Sequence, residues 1–355
     1  MALKIIIIPV LFLLLYLSAA ASDVEMTAEN ITELSQITTN GFYTPVLLTD
    51  GDDRTYTATV SDGTVAIVCG TDIGSLYLIF DRIPTVWQIT DMETGATFTC
   101  GQNGFLHEYI DMADIFGRTL KEVRLDFPTG ISIDEIYVFS EGEVPEWVQK
   151  WSPPCERADL LLLSSHSDDE QLFFAGVLPY YAGERGYKVQ VVYLNSHFYN
   201  THDRPHELLE GLWTVGVRNY PVIPDFPDLY SESLEEALVL YGEYGYTYTD
   251  FVEYITENLR RFQPLVVVSH DINGEYGHGT HILCTSALRD ALLVCNDINI
   301  YPESAQMYGA WGPLKTYLHL YPENAIVMNW DVPLEKFGGK TAFQMTQEGF
   351  SHHKS

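Results

Sequence analysis

The N-terminal third of the chain is predicted to be rich in β-strands. Between residues 36 and 140, short segments of apolar and β-branched residues follow one another, separated by turns rich in Gly, Asp and Asn. Regular short strands without an intervening helical period are typical of antiparallel sandwiches and jelly rolls. The predicted strands include 64–68, 76–80, 86–90, 122–127 and 131–139.

The pattern changes after residue 157, where apolar runs alternate with helical stretches. The run 159–164 is almost entirely apolar, as in a strand buried on both faces, and further strands are predicted at 188–194, 220–223 and 265–269. Alternating strands and helices predict a Rossmann-like α/β domain with a parallel sheet, in which ligands bind at the carboxyl ends of the strands. The predicted helices are 170–185, 204–215, 233–238, 249–262 and 279–294.

A short leader is predicted to precede two domains. Lys4 comes before an apolar run over 5–17 and a small-residue stretch over 18–22, which predicts a signal peptide at 1–21 and a secreted or cell-envelope protein. The apolar run is shorter than the roughly 20 residues that cross a bilayer, so no stable membrane span is expected after cleavage. The predicted β-sandwich domain covers 22–145, a linker 146–157 and the α/β domain 158–355.

Composition and charge restrict the partners. Hydrophobic residues make up 46 % of the chain and charged residues only 19 %, which is enough apolar material for packed cores. The formal net charge is −30, and it is spread over both halves: residues 22–150 hold 22 acidic and 6 basic side chains. An acidic surface of this kind repels phosphates, so nucleic acids and anionic membranes are excluded as partners.

Five cysteines leave at least one without an intramolecular partner. Cys284 and Cys295 share one predicted helix and would lie about 16 Å apart, too far for a disulfide. Cys69 and Cys100 both lie in β-patterned segments, so a bridge between them is open.

Two loops that follow predicted strands carry a concentration of imidazoles and carboxylates. The first is Ser165-His166-Ser167-Asp168-Asp169-Glu170, and the second runs from Ser269 to His281 and holds three histidines. A zinc hydrolase needs three N/O ligands, a carboxylate for proton transfer and a donor for the developing oxyanion, and both loops together offer this set. Turn formation and helix capping are the alternative for a single such loop.

These residues resemble the PIG-L/LmbE-like zinc-dependent de-N-acetylases. His166-Ser167-Asp168-Asp169-Glu170 is similar to that family's His-Pro-Asp-Asp-Glu signature, and Tyr276-Gly277-His278-Gly279-Thr280-His281 to its Tyr-Gly-His-Pro-Asp-His segment. Arg204-Pro205-His206-Glu207 is similar to its Arg-x-x-Glu helix, and Phe226-Pro227-Asp228 to a further Pro-Asp element. The resemblance covers about 157–355.

The resemblance implies a role for each matching position. His166, Asp169 and His281 would bind one Zn²⁺, and Asp168 would be the general base and later the acid for the leaving amine. The oxyanion would be stabilised by His278, with Tyr276 closing over the substrate, and the substrate would be contacted by Arg204 and Asp228.

The second motif departs from the family pattern beside the implied ligand His281. Gly279-Thr280 stands where the family has Pro-Asp, so a carboxylate next to the ligand is lost. Outer-shell partners of this kind orient metal ligands. Asp271 and Glu275, both in the same loop, are the candidates to replace it.

The β-rich part resembles galactose-binding-like, discoidin-type domains in the segments 48–53 and 131–139. Such domains often hold a structural calcium ion, and the resemblance suggests Asp50, Asp52 and Asp53 as oxygen ligands. An Asp/Gly turn without metal is the alternative.

The preferred hypothesis is a secreted zinc-dependent hydrolase that removes N-acetyl groups from a glycan or glycoconjugate containing N-acetylglucosamine. An amidase for a larger N-acyl group is one alternative. A non-catalytic carbohydrate-binding or surface-interaction protein with a decayed deacetylase domain is the other.

Overall fold

The N-terminal part of the protein is a sandwich of two antiparallel sheets. The computed structural model describes residues 26–198 and 202–355, and the predicted signal peptide at 1–21 lies outside them. The strands are β1 (Ser35–Phe42), β2 (Thr57–Ile73), β3 (Ser75–Ile79), β4 (Trp87–Asp91), β5 (Thr97–Cys100), β6 (His107–Asp111), β7 (Leu120–Phe127), β8 (Ser132–Ile133) and β9 (Glu135–Phe139), with helix α1 (Met112–Phe116) after β6. One sheet has the order β1-β2-β7-β4-β5, with β8 paired to β2, and the other has the order β6-β3-β9.

Alternation along the strands of the larger sheet places one of its faces in the core. Val65 and Ile67 of β2, and Val123 and Leu125 of β7, have no exposed surface. Every strand pair in this part is antiparallel, which confirms the predicted antiparallel character. The predicted strand 131–139 is divided at Asp134, because β8 pairs with β2 in one sheet and β9 with β3 in the other.

The C-terminal part contains a four-stranded parallel sheet. Its strands are β10 (Leu160–Ser164), β11 (Val189–Tyr193), β12 (Val266–Ser269) and β13 (Lys315–Leu318), in the order β11-β10-β12-β13. Leu160 and Leu162 of the central strand pack into one apolar cluster, and Leu161 and Leu163 into another, so both faces are buried. The parallel sheet confirms that part of the prediction. The helices are α2 (Asp169–Leu172), α3 (Arg204–Thr214), α4 (Leu234–Glu243), α5 (Tyr248–Phe262), α6 (Gly279–Val294), α7 (Pro302–Tyr308) and α8 (Ala342–Phe350), with a π-helix at Leu178–Glu184.

Two predicted elements of the C-terminal part are interrupted or reduced in the structure, and the helix predicted over 233–238 extends to Glu243. The helix predicted over 170–185 is broken: α2 ends at Leu172, Ala175 has a φ of 35°, and a π-helix follows. A Cβ on Gly176 would lie 2.2 Å from the Trp330 ring, so packing of a distant segment determines the chain path here. The strand predicted at 220–223 is reduced to a single bridge between Val192 and Val222. The elements β13, α7 and α8 were not predicted.

The segment 146–157 packs against both parts of the chain. Trp147 contacts Tyr137 of β9 edge-on at 5.0 Å between ring centroids, and Trp151 contacts Trp213 of α3 at 5.4 Å. The segment therefore lies against both cores, and the domain boundaries at 145 and 158 stay a prediction.

All five cysteines are buried and free. The open bridge between Cys69 and Cys100 does not form, because β2 and β5 are separated by β7 and β4 in the sheet. Three strand spacings of about 4.8 Å exceed the reach of a disulfide. Among the described residues, no helix is long and apolar enough to cross a bilayer.

Candidate metal centre and active site

The two motif loops meet at one edge of the parallel sheet. β10 and β12 are neighbours and run in the same direction, so the loops that follow them leave from the same edge. The loops are joined directly: the Ser165 N–H donates to His270 Nε2 at 2.9 Å. Every site residue predicted from these loops therefore lies in one region, with Arg204 and Asp228 lining the same cavity.

Three of the predicted ligands present their donor atoms as a small triangle. Asp169 Oδ2 lies 3.0 Å from His166 Nδ1 and 3.1 Å from His281 Nε2, and these two nitrogens are 3.1 Å apart. In a tetrahedral zinc site with bonds of about 2.0–2.1 Å, neighbouring ligand atoms are about 3.3–3.4 Å apart. The three side chains, all buried, therefore fit a single ion of this size with little movement.

Glu275 contacts His281 on the side of the ring that faces away from this triangle. Its Oε2 lies 2.9 Å from Nδ1 of His281, without a linear hydrogen bond, and accepts a hydrogen bond from His270 Nδ1 at 2.7 Å. Its Oε1 accepts from the Asp271 N–H at 3.0 Å and from His319 Nδ1 at 2.9 Å. Glu275 thus provides a carboxylate beside His281. Asp271 contributes its backbone N–H, while its side chain accepts from the Asn273 N–H.

The two adjacent aspartates have opposite electrostatic environments. Burial and the neighbouring charge of Asp169 raise the pKa of Asp168, and Arg204 Nη2, 3.8 Å from Asp168 Oδ2, only partly offsets this. For Asp169, burial also acts to raise the pKa, but His166 and His281 outweigh it and hold the pKa well below its ordinary value. Asp169 is therefore suited to bind a cation, and Asp168 to exchange a proton.

His278 is positioned as a neutral hydrogen-bond donor. It is the N-cap of α6, and its Nδ1 accepts the Thr280 N–H at 3.1 Å, so the ring proton lies on Nε2. Burial and the nearby His166 and His281 lower its pKa to about 3, which keeps the ring uncharged at neutral pH.

The remaining predicted residues line the cavity, whose volume is about 240 Å³. Asp228 Oδ1 lies 3.5 Å from His166 Nε2 and 3.5 Å from Asn195 Nδ2. Tyr276 is exposed, with a φ of 45° that places its ring at the mouth, 6.0 Å from the Phe173 ring.

Sequence reasoning missed two histidines. His270 is fully buried, and both its nitrogens are engaged, by Ser165 and by Glu275. Because His270 directly follows a predicted strand in the second motif loop, its position in the sequence could have identified it as a site residue. His319 donates to Glu275 and directly follows β13. It could not be recognised from the sequence, because that strand was not predicted.

The side chains suggested as calcium ligands do not converge on a common point as those of His166, Asp169 and His281 do. Asp50 accepts from the Asp52 N–H and the Thr55 hydroxyl, and Asp52 accepts from the Arg54 N–H, as in an Asp turn. In the described residues, the sets of ligating side chains that converge within 4.8 Å do not include Asp50, Asp52 or Asp53. Calcium binding here stays a prediction.

This chain is similar to several solved structures and to one family model. Solved structures similar to this chain include a conserved protein of Thermus thermophilus (16 % identity, 55 % of this chain and 80 % of that chain, TM-score 0.38). They also include the N,N'-diacetylchitobiose deacetylase of Pyrococcus horikoshii (14 % identity, 56 % of this chain and 71 % of that chain, TM-score 0.42). A third is CBM32-3 from a family 31 glycoside hydrolase of Clostridium perfringens (10 % identity, 32 % of this chain and 95 % of that chain, TM-score 0.25). No curated protein matched.

The family model of the GlcNAc-PI de-N-acetylases, PIG-L, matches residues 161–292, from β10 to near the end of α6. The match spans both motif loops. Residues 161–292 are therefore a PIG-L domain, which confirms the resemblance carried by the motifs of the two loops.

Proposed function

We propose that this protein is a metal-dependent hydrolase that removes N-acetyl groups from a glycan or glycoconjugate containing N-acetylglucosamine. The observation that carries the proposal is the triangle of His166, Asp169 and His281 donor atoms, 3.0–3.1 Å on each side, within a domain that matches de-N-acetylases. Zinc bound there would act as a Lewis acid and would make water more acidic.

Asp168 is proposed to move the protons. Its carboxylate lines the cavity beside the triangle and takes a proton from the attacking water. Its raised pKa lies closer to neutral pH than that of an ordinary aspartate, so the protonated group can then donate that proton to the departing amine. Arg204, at 3.8 Å, keeps the ionised form accessible.

His278 is proposed to stabilise the oxyanion that forms from the acetamide carbonyl. Its Nδ1 is occupied by Thr280, so Nε2–H is the group left to donate. Because a pKa of about 3 keeps the ring uncharged, His278 can donate a hydrogen bond but has no imidazolium proton to transfer to the substrate.

The cavity favours a small acyl group. A volume of about 240 Å³ is below the roughly 300–1,000 Å³ usual for small-molecule sites, which favours an acetyl group over a longer acyl chain. Arg204 and Asp228 offer polar contacts to sugar hydroxyls, and Tyr276 a movable cover at the mouth. The net charge of −30 suits a neutral amino sugar better than a polyanion.

Export and a glycan-facing role for the β-sandwich are part of the same proposal. The leader pattern at 1–21 supports secretion, and the discoidin-type resemblance supports a module that keeps the enzyme on a carbohydrate. The metal is proposed to be zinc, because two imidazoles and one carboxylate are a usual zinc ligand set.

The test is acetate release from N-acetylglucosaminides by the Asp168→Asn variant, measured together with bound zinc. We expect turnover to fall about 10²- to 10⁴-fold while zinc content is unchanged. Asp225→Asn, which changes an exposed carboxylate near Asp228, is the matched control and should keep full activity. Unchanged turnover in Asp168→Asn would refute the role of Asp168.

Substrates with longer N-acyl groups separate the deacetylase from a broader amidase. Equal or faster release of the longer acids would favour the amidase. A wild-type protein that binds no zinc and releases no acetate would favour the non-catalytic alternative.

A further inference from the structure

A second cluster of metal-ligating side chains lies where the sandwich meets the α/β part. Ligating atoms of Asp81, Asp134 and His202 all lie within 4.8 Å of one another. Asp81 follows β3, Asp134 lies between β8 and β9, and His202 precedes α3. The cluster is therefore assembled from three distant segments and belongs to neither motif loop.

Asp134 lacks the partners that a buried carboxylate requires. It has no exposed surface, and neither of its oxygens has a hydrogen-bond partner among the described residues. The nearest imidazole nitrogen, His206 Nε2, is 3.4 Å from Oδ2 and likewise makes no hydrogen bond within the described part of the chain. A buried charge without compensation costs several kcal/mol, so such groups are usually paired or coordinate a metal.

Asp81 adds a second buried carboxylate to the same place. Its Oδ1 contacts His202 Nδ1, and its Oδ2 lies 3.4 Å from Nε of Arg82, whose side chain is 81 % exposed. Burial and the charge of Asp81 raise the pKa of Asp134 to about 9. The described residues thus bring two carboxylates together with little positive charge around Asp134.

A hydrogen-bonded chain holds His206 in position. The Tyr77 hydroxyl lies 2.6 Å from His107 Nδ1, and His107 Nε2 lies 2.9 Å from His206 Nδ1. His206 Nε2 is left facing Asp134. Metal-ligating histidines characteristically use one ring nitrogen for the metal and the other for an orienting hydrogen bond. His206 has the orienting hydrogen bond at Nδ1, and its Nε2 is left for a ligand.

We propose that Asp81, Asp134 and His202, with His206 as a fourth ligand, bind a second divalent transition-metal ion. Two carboxylates and two imidazoles form a closed set of four N/O ligands, as in a structural zinc site. The site joins the two parts of the chain, because the carboxylates come from the sandwich, His202 comes from the segment before α3 and His206 from the first turn of α3.

The same ion would position the start of α3. Arg204 lies between His202 and His206 in the chain and lines the cavity of the proposed active site. Fixing both histidines therefore fixes the backbone that carries Arg204. The ion is structural and makes no contact with substrate.

The test is the zinc content of the full-length protein, measured after saturation with Zn²⁺ and removal of free metal. We expect two zinc ions per wild-type chain and one in Asp134→Asn and in His202→Gln. Asp169→Asn, which disrupts the other centre, should also hold one, and the control Asp72→Asn, which changes an exposed carboxylate of the sandwich, should hold two.

A second readout is thermal stability. Zinc should raise the melting temperature of Asp169→Asn, and this increase should be lost in the Asp134→Asn/Asp169→Asn double variant. His202→Gln removes a partly exposed side chain and keeps the test valid if Asp134→Asn does not fold.

The outcomes separate this proposal from the proposed function. If only the catalytic centre fails, the wild type holds one zinc ion, which is lost in Asp134→Asn and kept in Asp169→Asn. If Asp134→Asn and His202→Gln fold and bind as much zinc as the wild type, the second site does not exist.

Discussion

Replacing Glu275 by Gln tests how the proposed metal centre compensates for the carboxylate missing from the second motif. Glu275 is buried and takes hydrogen bonds from His270, His319 and the backbone of Asp271, besides its contact with His281 at 2.9 Å. Glutamine has the same shape but replaces one acceptor oxygen by an NH₂ group. One side of the carboxylate then loses its acceptor, and the negative charge beside the ligand His281 disappears.

The expected loss is about 10- to 100-fold in zinc affinity, as for other partners that orient metal ligands. This corresponds to about 1.4–2.7 kcal/mol, because each 1.4 kcal/mol is a factor of ten. The value agrees with the roughly 1.5–3 kcal/mol of one hydrogen bond to a charged group. The amide can turn its oxygen toward His270 and His281, which limits the loss to the His319 and Asp271 side.

Chelator competition measures the zinc affinity, and acetate release at saturating zinc measures what remains of activity. Asp271→Asn is the matched control, because within the described part of the chain its side chain bonds only Asn273, in the same loop. We expect the control to bind zinc like the wild type. High zinc should restore most of the activity of Glu275→Gln, since the ligands themselves are intact.

The proposed role of Glu275 would be wrong if Glu275→Gln kept wild-type zinc affinity. It would equally be wrong if Asp271→Asn showed the larger loss, because Asp271 would then be the group that orients His281. A folded Glu275→Gln protein with full affinity and low activity would place Glu275 in catalysis instead of metal support.

Three further changes have defined outcomes. Arg204→Gln removes a charge that lowers the pKa of Asp168, so the acidic limb of the kcat/KM–pH profile should move to higher pH. Gly176→Ala places a Cβ 2.2 Å from the Trp330 ring and should lower the free energy of unfolding by about 1–3 kcal/mol in urea titrations. In metal-free protein, the pKa of Asp134 is raised to about 9, above its unfolded value of about 3.9, so protonation of this side chain favours the folded state. This contribution to stability is fully present below about pH 3.9 and is lost as the pH rises toward 9. Asp134→Asn should therefore melt higher than the metal-free wild type at pH 7, and the difference should disappear near pH 4.

Much of the α/β fold could be predicted because its elements have strong local signals. Helix α6 has the predicted bounds 279–294, since apolar residues occur in each of its turns after the first. The helix over 170–185 was wrong because Gly176 and Ala175 follow the packing of Trp330, more than 150 residues away in the chain. Periodicity describes neighbours within a turn and contains no information about such contacts.

The sequence by itself determined which chemical groups leave the ends of β10 and β12 and which family motifs they form. Since parallel strands end at one edge, it also determined that the two loops meet. It left two carboxylates as candidates for supporting His281, and only the tertiary structure decided between them, by directing Glu275 inward.

The cluster of Asp81, Asp134, His202 and His206 depended wholly on the tertiary structure. Its members have no shared motif, and they meet because a strand break at Asp134 and the start of α3 come together where the two parts of the chain pack. Burial then removes the water that would have solvated Asp134, and that desolvation turns an ordinary aspartate into a candidate ligand.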